Sequence, residues 1–165
     1  MREQGAPTTI AAKELRATLI IFIGVTALVF LFLLAAIFIV QSLGPLKPGW
    51  NEYFNLLKWG FGILSAVVLV FARQVFHKSI GAAKNSLILA GGKLSHHRTA
   101  LVKYLGICEF AAILNIVLFI FTGESIFIII AAVVLGFMLA MAPTPRRVAM
   151  LLELDATEEQ ELKSR

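Results

Sequence analysis

Four long apolar runs dominate this chain of 165 residues and limit what it can fold into. Each run is close to the ~20 residues that a helix needs to cross ~30 Å of hydrocarbon. A soluble domain of this size could not bury so much apolar surface, since 59% of the residues are hydrophobic and only 15% are charged. The sequence therefore predicts an all-α, four-helix transmembrane bundle that forms one integral membrane domain. The spans are expected at about 18–40, 54–73, 101–121 and 125–141, with a cytoplasmic tail at 142–165.

The first run is expected to be a retained span and not a cleavable signal peptide. Its apolar part covers about 24 residues, from Ala17 to Val40. A signal peptide has a shorter apolar core of ~7–15 residues, followed by a cleavage site of small residues. The sequence QSLG that follows this run does not resemble such a site.

The distribution of Lys and Arg predicts the orientation of the spans. The segment before the first span, the loop between spans two and three, and the tail carry twelve basic residues together, while the opposite loops carry one, Lys47. Because basic residues accumulate in cytoplasmic loops, we expect both termini and the middle loop in the cytoplasm. The basic residues expected to contact lipid headgroups are Lys78, Lys84, Lys93, Arg98, Arg146 and Arg147.

The middle loop has the pattern of an amphipathic helix. It is expected to run from about Gln74 to Ala90 and to be broken at Gly91-Gly92. This helix could lie on anionic lipid headgroups, or it could extend span two into a cytoplasmic helical hairpin. The sequence leaves both alternatives open. Its apolar stripe consists of Phe76, Ile80, Ala83, Leu87 and Leu94.

Two connections carry clear signals for helix ends. Between spans three and four, Gly123 is suited to end one helix and Ser125 to begin the next, which predicts a close antiparallel hairpin. After the fourth span, Thr144 is suited to cap a short tail helix that has Pro145 at its first position.

Glu109 is the one carboxylate that lies well inside an apolar run. A charge at such a depth costs on the order of 2.5–3.5 kcal/mol on insertion scales, so this carboxyl must be protonated, paired or facing water. One hypothesis is a proton or cation site. The other is a structural ion pair with Arg73 or Lys103, or a hydrogen bond to another helix. Asn115 is a further polar residue of the same span that such a site would use.

The other motifs indicate packing and not chemistry. Gly60 and Gly62 allow close helix contact in span two. The adjacent His96 and His97 point to different sides of a helix, with no carboxylate nearby, so we expect solvated or headgroup-contacting histidines and no metal site. Cys108, the single cysteine, has no partner for redox or nucleophilic chemistry. We therefore expect a protein that has no cofactor and is not an enzyme.

Two stretches of the second half resemble a known group of proteins. In RTALVKYLGICEFAAILNIVLFIFTGES, a basic-led span carries a glutamate and ends in a T-G turn; in PTPRRVAMLLELDATEEQEL, a Pro-Thr and a basic pair open a tail helix. These features, over about 93–162, resemble small uncharacterised four-span membrane proteins of bacteria. The resemblance implies a multi-pass protein of a bacterial inner membrane and no particular activity.

Together these features predict a non-catalytic integral membrane protein, as a structural or accessory subunit of a membrane complex or of a homo-oligomer. Its expected partners are the lipid bilayer and either itself or other membrane subunits. Nucleic acid is not expected, because the net charge of +5 arises from residues at the ends of spans. The alternative is a small proton- or cation-coupled transporter that uses Glu109.

Overall fold

The computed structural model describes residues 10–46, 54–84 and 90–154 of the chain. Within these ranges it forms five helices and no strand, which confirms the all-α fold class. The helices are α1 (Ile10–Leu43), α2 (Phe54–Lys84), α3 (Ala90–Thr122), α4 (Ser125–Ala140) and α5 (Pro145–Leu152).

Three of these helices contain stretches long and apolar enough to cross a membrane. The fourth predicted span is shorter, because α4 has 16 residues and is therefore about 24 Å long. It qualifies only as a pair with α5, from which it is bent by 75°. The three qualifying stretches are Ala12–Leu43, Lys58–Ala82 and Gly92–Thr122.

The amphipathic segment after the second predicted span continues α2 instead of forming a helix of its own. α2 runs without a break to Lys84, and α3 begins at Ala90. Of the predicted apolar stripe, Phe76, Ile80 and Leu94 are buried in the protein core. These three residues of the stripe therefore pack against other helices of the bundle.

The predicted helix break at Gly91-Gly92 is wrong. Both glycines lie in the first turn of α3. Glycine lowers helix stability by only ~1 kcal/mol relative to alanine, and the packing of the residues that follow outweighs that cost. Leu87 of the predicted stripe lies outside the described residues.

Left-handed glycines end two of the long helices. Gly44 has φ 78° and Gly123 has φ 73°, and each donates its amide to the carbonyl four residues earlier. Ser125 then begins α4 as predicted. The Pro45 ring lies 3.2 Å from where a Cβ of Gly123 would stand, so a side chain at Gly123 would be crowded as well as strained.

α3 is the centre of the bundle. It packs against α1, α2 and α4, whereas α1 and α2 share almost no contact although they are consecutive. The larger buried cluster joins all five helices, and the smaller one lies towards the α3–α4 turn. Representative members are Phe22, Phe76, Leu101, Met138 and Leu152 in the larger cluster, and Leu33, Phe119 and Phe127 in the smaller one.

Ion pairs join the helices at both ends of the bundle. Arg98 Nη1 and Glu14 Oε2 lie 2.7 Å apart and link α3 to α1, in a geometry that is not a hydrogen bond. Lys58 Nζ lies 2.9 Å from Glu124 Oε2 and links α2 to the α3–α4 turn. Both pairs are partly exposed, so each contributes at most about 1 kcal/mol.

Candidate functional site

Glu109 lies on α3 at the border between the buried and the exposed side of the helix. On one side Cys108 and Ala112 are buried, and on the other Gly106 and Phe110 are exposed. Glu109 itself is half-buried. Within the described residues, no ion pair or hydrogen bond joins its carboxylate to another side chain.

One face of α3 has no other helix of the described chain against it. The space beyond Gly106 is empty, since no atom lies within 4 Å of a Cβ built there, and Phe110 is 66% exposed. We call this surface the open face of α3. Its exposed residues are Val102, Lys103, Gly106, Phe110, Val117 and Phe121.

The structure does not bring together the four residues predicted to form an ion site or a buried ion pair. Arg73 lies beside Tyr104, which precedes Glu109 by five residues and so points about 140° away around α3. Lys103 is exposed on the open face. Asn115 is fully buried and faces α2.

Asn115 links α3 to α2 inside the bundle. Its Nδ2 donates hydrogen bonds to Ser65 Oγ and to the Ala111 carbonyl, both at 2.8 Å. Its Oδ1 is buried without a hydrogen-bond partner. Hydrogen bonds between membrane helices stabilise a protein by about 0.6 kcal/mol on average. Asn115 therefore forms an interhelical hydrogen bond that joins α3 to α2.

The two glycines predicted to pack helices differ in their surroundings. Gly62 packs against α4, where the Ile130 Cδ1 lies 3.8 Å from a Cβ built at the glycine. Gly60 is exposed and has no neighbour within 4 Å of such a Cβ. Its surface is therefore open to lipid or to another protein.

The basic residues predicted to contact headgroups are not all free to do so. Lys78 and Arg146 are exposed, whereas Arg98 is engaged in the ion pair with α1. Lys93 is half-buried in the first turn of α3. Lys84 ends α2, and its side chain lies outside the described part of the chain.

A cavity of about 220 Å³ lies where α5 folds back against the other helices. We call it the α5 cavity. Its polar residues come from α2, α3 and α5, so residues distant in sequence meet there. The polar residues that line it are Arg73, His77, Tyr104 and Arg147, and the apolar ones include Phe76, Phe137 and Leu151.

Arg147 is held at the α5 cavity by the bend between α4 and α5. Thr144 caps α5 as predicted, because its hydroxyl accepts a hydrogen bond from the Arg147 amide at 3.4 Å. The Arg147 guanidinium donates to the Ala140 carbonyl and contacts Met141 Sδ. The Arg147 side chain thus donates a hydrogen bond to a carbonyl at the C-terminal end of α4 and also lines the cavity.

Aromatic rings gather around Phe76 next to the α5 cavity. The rings of His77, His97 and Tyr104 meet it edge-on, with centroids between 5.9 and 6.1 Å away. The Tyr104 hydroxyl donates to the Phe137 carbonyl at 3.3 Å. His97 is buried, and its Nδ1 has no hydrogen-bond partner. The prediction of a solvated or headgroup-contacting His97 is wrong, because this side of α3 packs against α2.

No family model, curated protein or solved structure matches the chain. Within residues 10–46, 54–84 and 90–154, no group of three or more His, Cys, Asp or Glu side chains could hold a metal ion. The open face of α3 borders the half-buried Glu109, and the α5 cavity holds the cations Arg73 and Arg147. Sequence reasoning found Glu109 by its charge, but it missed the α5 cavity because no local pattern connects Arg73, Tyr104 and Arg147.

Proposed function

We propose that this protein is a non-catalytic subunit of a membrane assembly, which binds a second copy of the chain or another membrane protein through the open face of α3. In this proposal α1 to α4 all cross a bacterial inner membrane, and both termini are cytoplasmic. The proposal is supported by three long apolar helices and a bent pair, and by the placement of basic residues in the sequence.

Glu109 is the observation that carries the proposal. Its carboxylate lies at the edge of an exposed face, inside a helix long and apolar enough to cross the bilayer, and it lacks an ion-pair partner in the described chain. Such a residue in contact with lipid costs a few kcal/mol. A hydrogen-bond donor or a basic group on a neighbouring protein would offset this cost, which favours association.

The shape of the open face also suits a neighbouring helix. Gly106 leaves an unfilled recess beside the protruding Phe110 ring. Membrane helices associate through close packing of this kind, since lipid removes the hydrophobic driving force between them. A polar edge next to a recess therefore offers both the packing and the directional contact that a partner span needs.

Disulfide or bifunctional-thiol crosslinking in native membranes tests this proposal. In a Cys108→Ser background, Phe110→Cys should crosslink to a neighbour of defined mass. Val67→Cys should not, although it is 58% exposed and lies at a similar depth, roughly 18–20 Å along its helix from the same end of the bundle. Equal crosslinking at the two positions would contradict a specific interface.

Replacing the carboxylate tests the role assigned to Glu109. Glu109→Leu should weaken association roughly 5- to 30-fold, because leucine removes both the polar contact and the cost of exposing a carboxylate to lipid. The yield of Phe110→Cys crosslinks measures this effect. A Glu109→Gln variant that keeps the crosslink but abolishes pH-dependent uptake would instead favour the transporter alternative. That alternative has less support, because Glu109 lines none of the four cavities described for the chain.

A further inference from the structure

We propose that the α5 cavity binds a phosphate anion, carried by an anionic phospholipid or free in solution, between the guanidinium groups of Arg73 and Arg147. This site is separate from the open face of α3, and its chemistry does not depend on whether the protein assembles with a partner. Its position at the membrane surface does rest on the membrane location proposed above.

Arg73 supplies the free donors of this site. Its side chain is exposed and lines the cavity, yet it makes no ion pair or hydrogen bond within the described chain. A guanidinium carries five N–H donors in a planar fork that matches two phosphate oxygens. Arg73 is therefore a cation held at a cavity wall with all its donors available.

Arg147 adds a second guanidinium whose position is fixed. Its contacts with the end of α4 use some of its donors and leave others for a ligand. Both guanidinium groups line the same cavity, as does the Tyr104 side chain. Two cations at one wall repel each other, and an anion between them would remove that repulsion.

No carboxylate lines the α5 cavity in the described chain. Glu14 and Glu124 are engaged in ion pairs elsewhere, and Glu153 lines a different cavity beside Arg146. Glu109 points away from Tyr104 around α3. Among the described residues, the two guanidinium groups therefore have no acidic side chain beside them in the cavity.

The size and position of the cavity fit a phospholipid phosphate. A volume of about 220 Å³ holds several waters at about 30 Å³ each, or a phosphate group with some of its hydration. The cavity lies at the end of α4, where α5 turns by 75°, so an upright α4 places it near the headgroups. Phe137, which is 48% exposed, offers an apolar path from the cavity towards the acyl chains.

Native mass spectrometry of the full chain tests the proposal. The delipidated protein in detergent is titrated with phosphatidylglycerol, and bound lipid is counted. Arg73→Gln should weaken binding at least about tenfold, since it removes a charged hydrogen-bonding group. Lys78→Gln is the matched control, because it removes an exposed cation from the same end of α2 without touching the cavity, and it should change binding less than twofold.

Competition separates the two sources of phosphate. If millimolar inorganic phosphate displaces the lipid from the wild type but not from Arg73→Gln, the phosphate alone carries recognition; if it does not displace the lipid, the acyl chains contribute as well. Displacement supports a phosphate site, and without displacement a preference for phosphatidylglycerol over diacylglycerol supports it. Equal losses in Arg73→Gln and Lys78→Gln, or equal binding of uncharged diacylglycerol, would overturn it.

Two further measurements separate loss of the phosphate site from misfolding and from loss of assembly. Arg73→Lys retains the charge and loses the planar set of guanidinium donors, so its affinity for the lipid should lie between those of the wild type and Arg73→Gln. This variant replaces Arg73→Gln in the test if the glutamine variant fails to fold. Crosslinking through Phe110→Cys should be unchanged in the Arg73 variants. Loss of lipid binding with intact crosslinking separates this site from the assembly face.

Discussion

Two buried hydroxyls show how single polar residues act differently inside this bundle. Ser65 and Thr26 are 4% and 7% exposed. Ser65 accepts a hydrogen bond from Asn115 and so joins α2 to α3, whereas the Thr26 hydroxyl on α1 has no partner. A buried hydroxyl without a partner loses its hydration and gains nothing in return.

Replacing each hydroxyl by an apolar side chain of similar shape should therefore have opposite effects. Ser65→Ala should lower the free energy of unfolding by about 0.6 kcal/mol, the average for a hydrogen bond between membrane helices. Thr26→Val should leave it unchanged or raise it by up to about 1 kcal/mol. Reversible unfolding in mixed micelles measures both. A larger loss for Thr26→Val than for Ser65→Ala would contradict this assignment.

Among the helices, α5 depends most on its neighbours. It has eight residues, and an isolated helix of that length is not stable in water. Its buried side chains, Val148, Ala149 and Leu152, join the larger core cluster, and Thr144 caps its start. Packing against the ends of the long helices therefore holds it in place and closes the α5 cavity.

Truncating a buried side chain of α5 should release this helix without unfolding the bundle. Leu152→Ala should destabilise the docked state by about 2–5 kcal/mol, the usual cost of such a change in a core, and should increase amide hydrogen exchange within α5. Met150→Ala is the control on the same helix, because Met150 is 78% exposed and its loss should change stability by less than about 0.5 kcal/mol. Unchanged exchange in Leu152→Ala would show that α5 does not need this contact.

At the scale of the whole molecule, the orientation in the membrane can be read from the two ends of the bundle. Ser125 is the first residue of α4, next to the α3–α4 turn, and Met150 lies on α5 at the other end of the bundle. In a Cys108→Ser background, Ser125→Cys should react with a membrane-impermeant thiol reagent added to right-side-out vesicles. Met150→Cys should react only after permeabilisation. Labelling of both from the same side would contradict the proposed four-span orientation.

The sequence predicted the helical class and the helix-end signals at the α3–α4 turn and at the start of α5. Local chemistry decides these features, as at Gly123 and Thr144. The sequence left open whether the segment after Arg73 lies on lipid or extends α2, because an apolar stripe can pack against lipid or against other helices. In the structure α2 runs without a break to Lys84, and Phe76 and Leu94 are buried against other helices. The α5 cavity was unpredictable for a related reason, since only the bend after α4 brings Arg147 towards α2.

The near absence of contact between α1 and α2 has a consequence for biosynthesis. Because a ribosome delivers the chain from its N-terminal end, α1 and α2 are made before α3, against which both pack. Until α3 is present, α1 and α2 have few contacts with each other, and the ion pair between Glu14 and Arg98 cannot form. The faces of α1 and α2 that pack on α3 can therefore be covered only after α3 has been inserted.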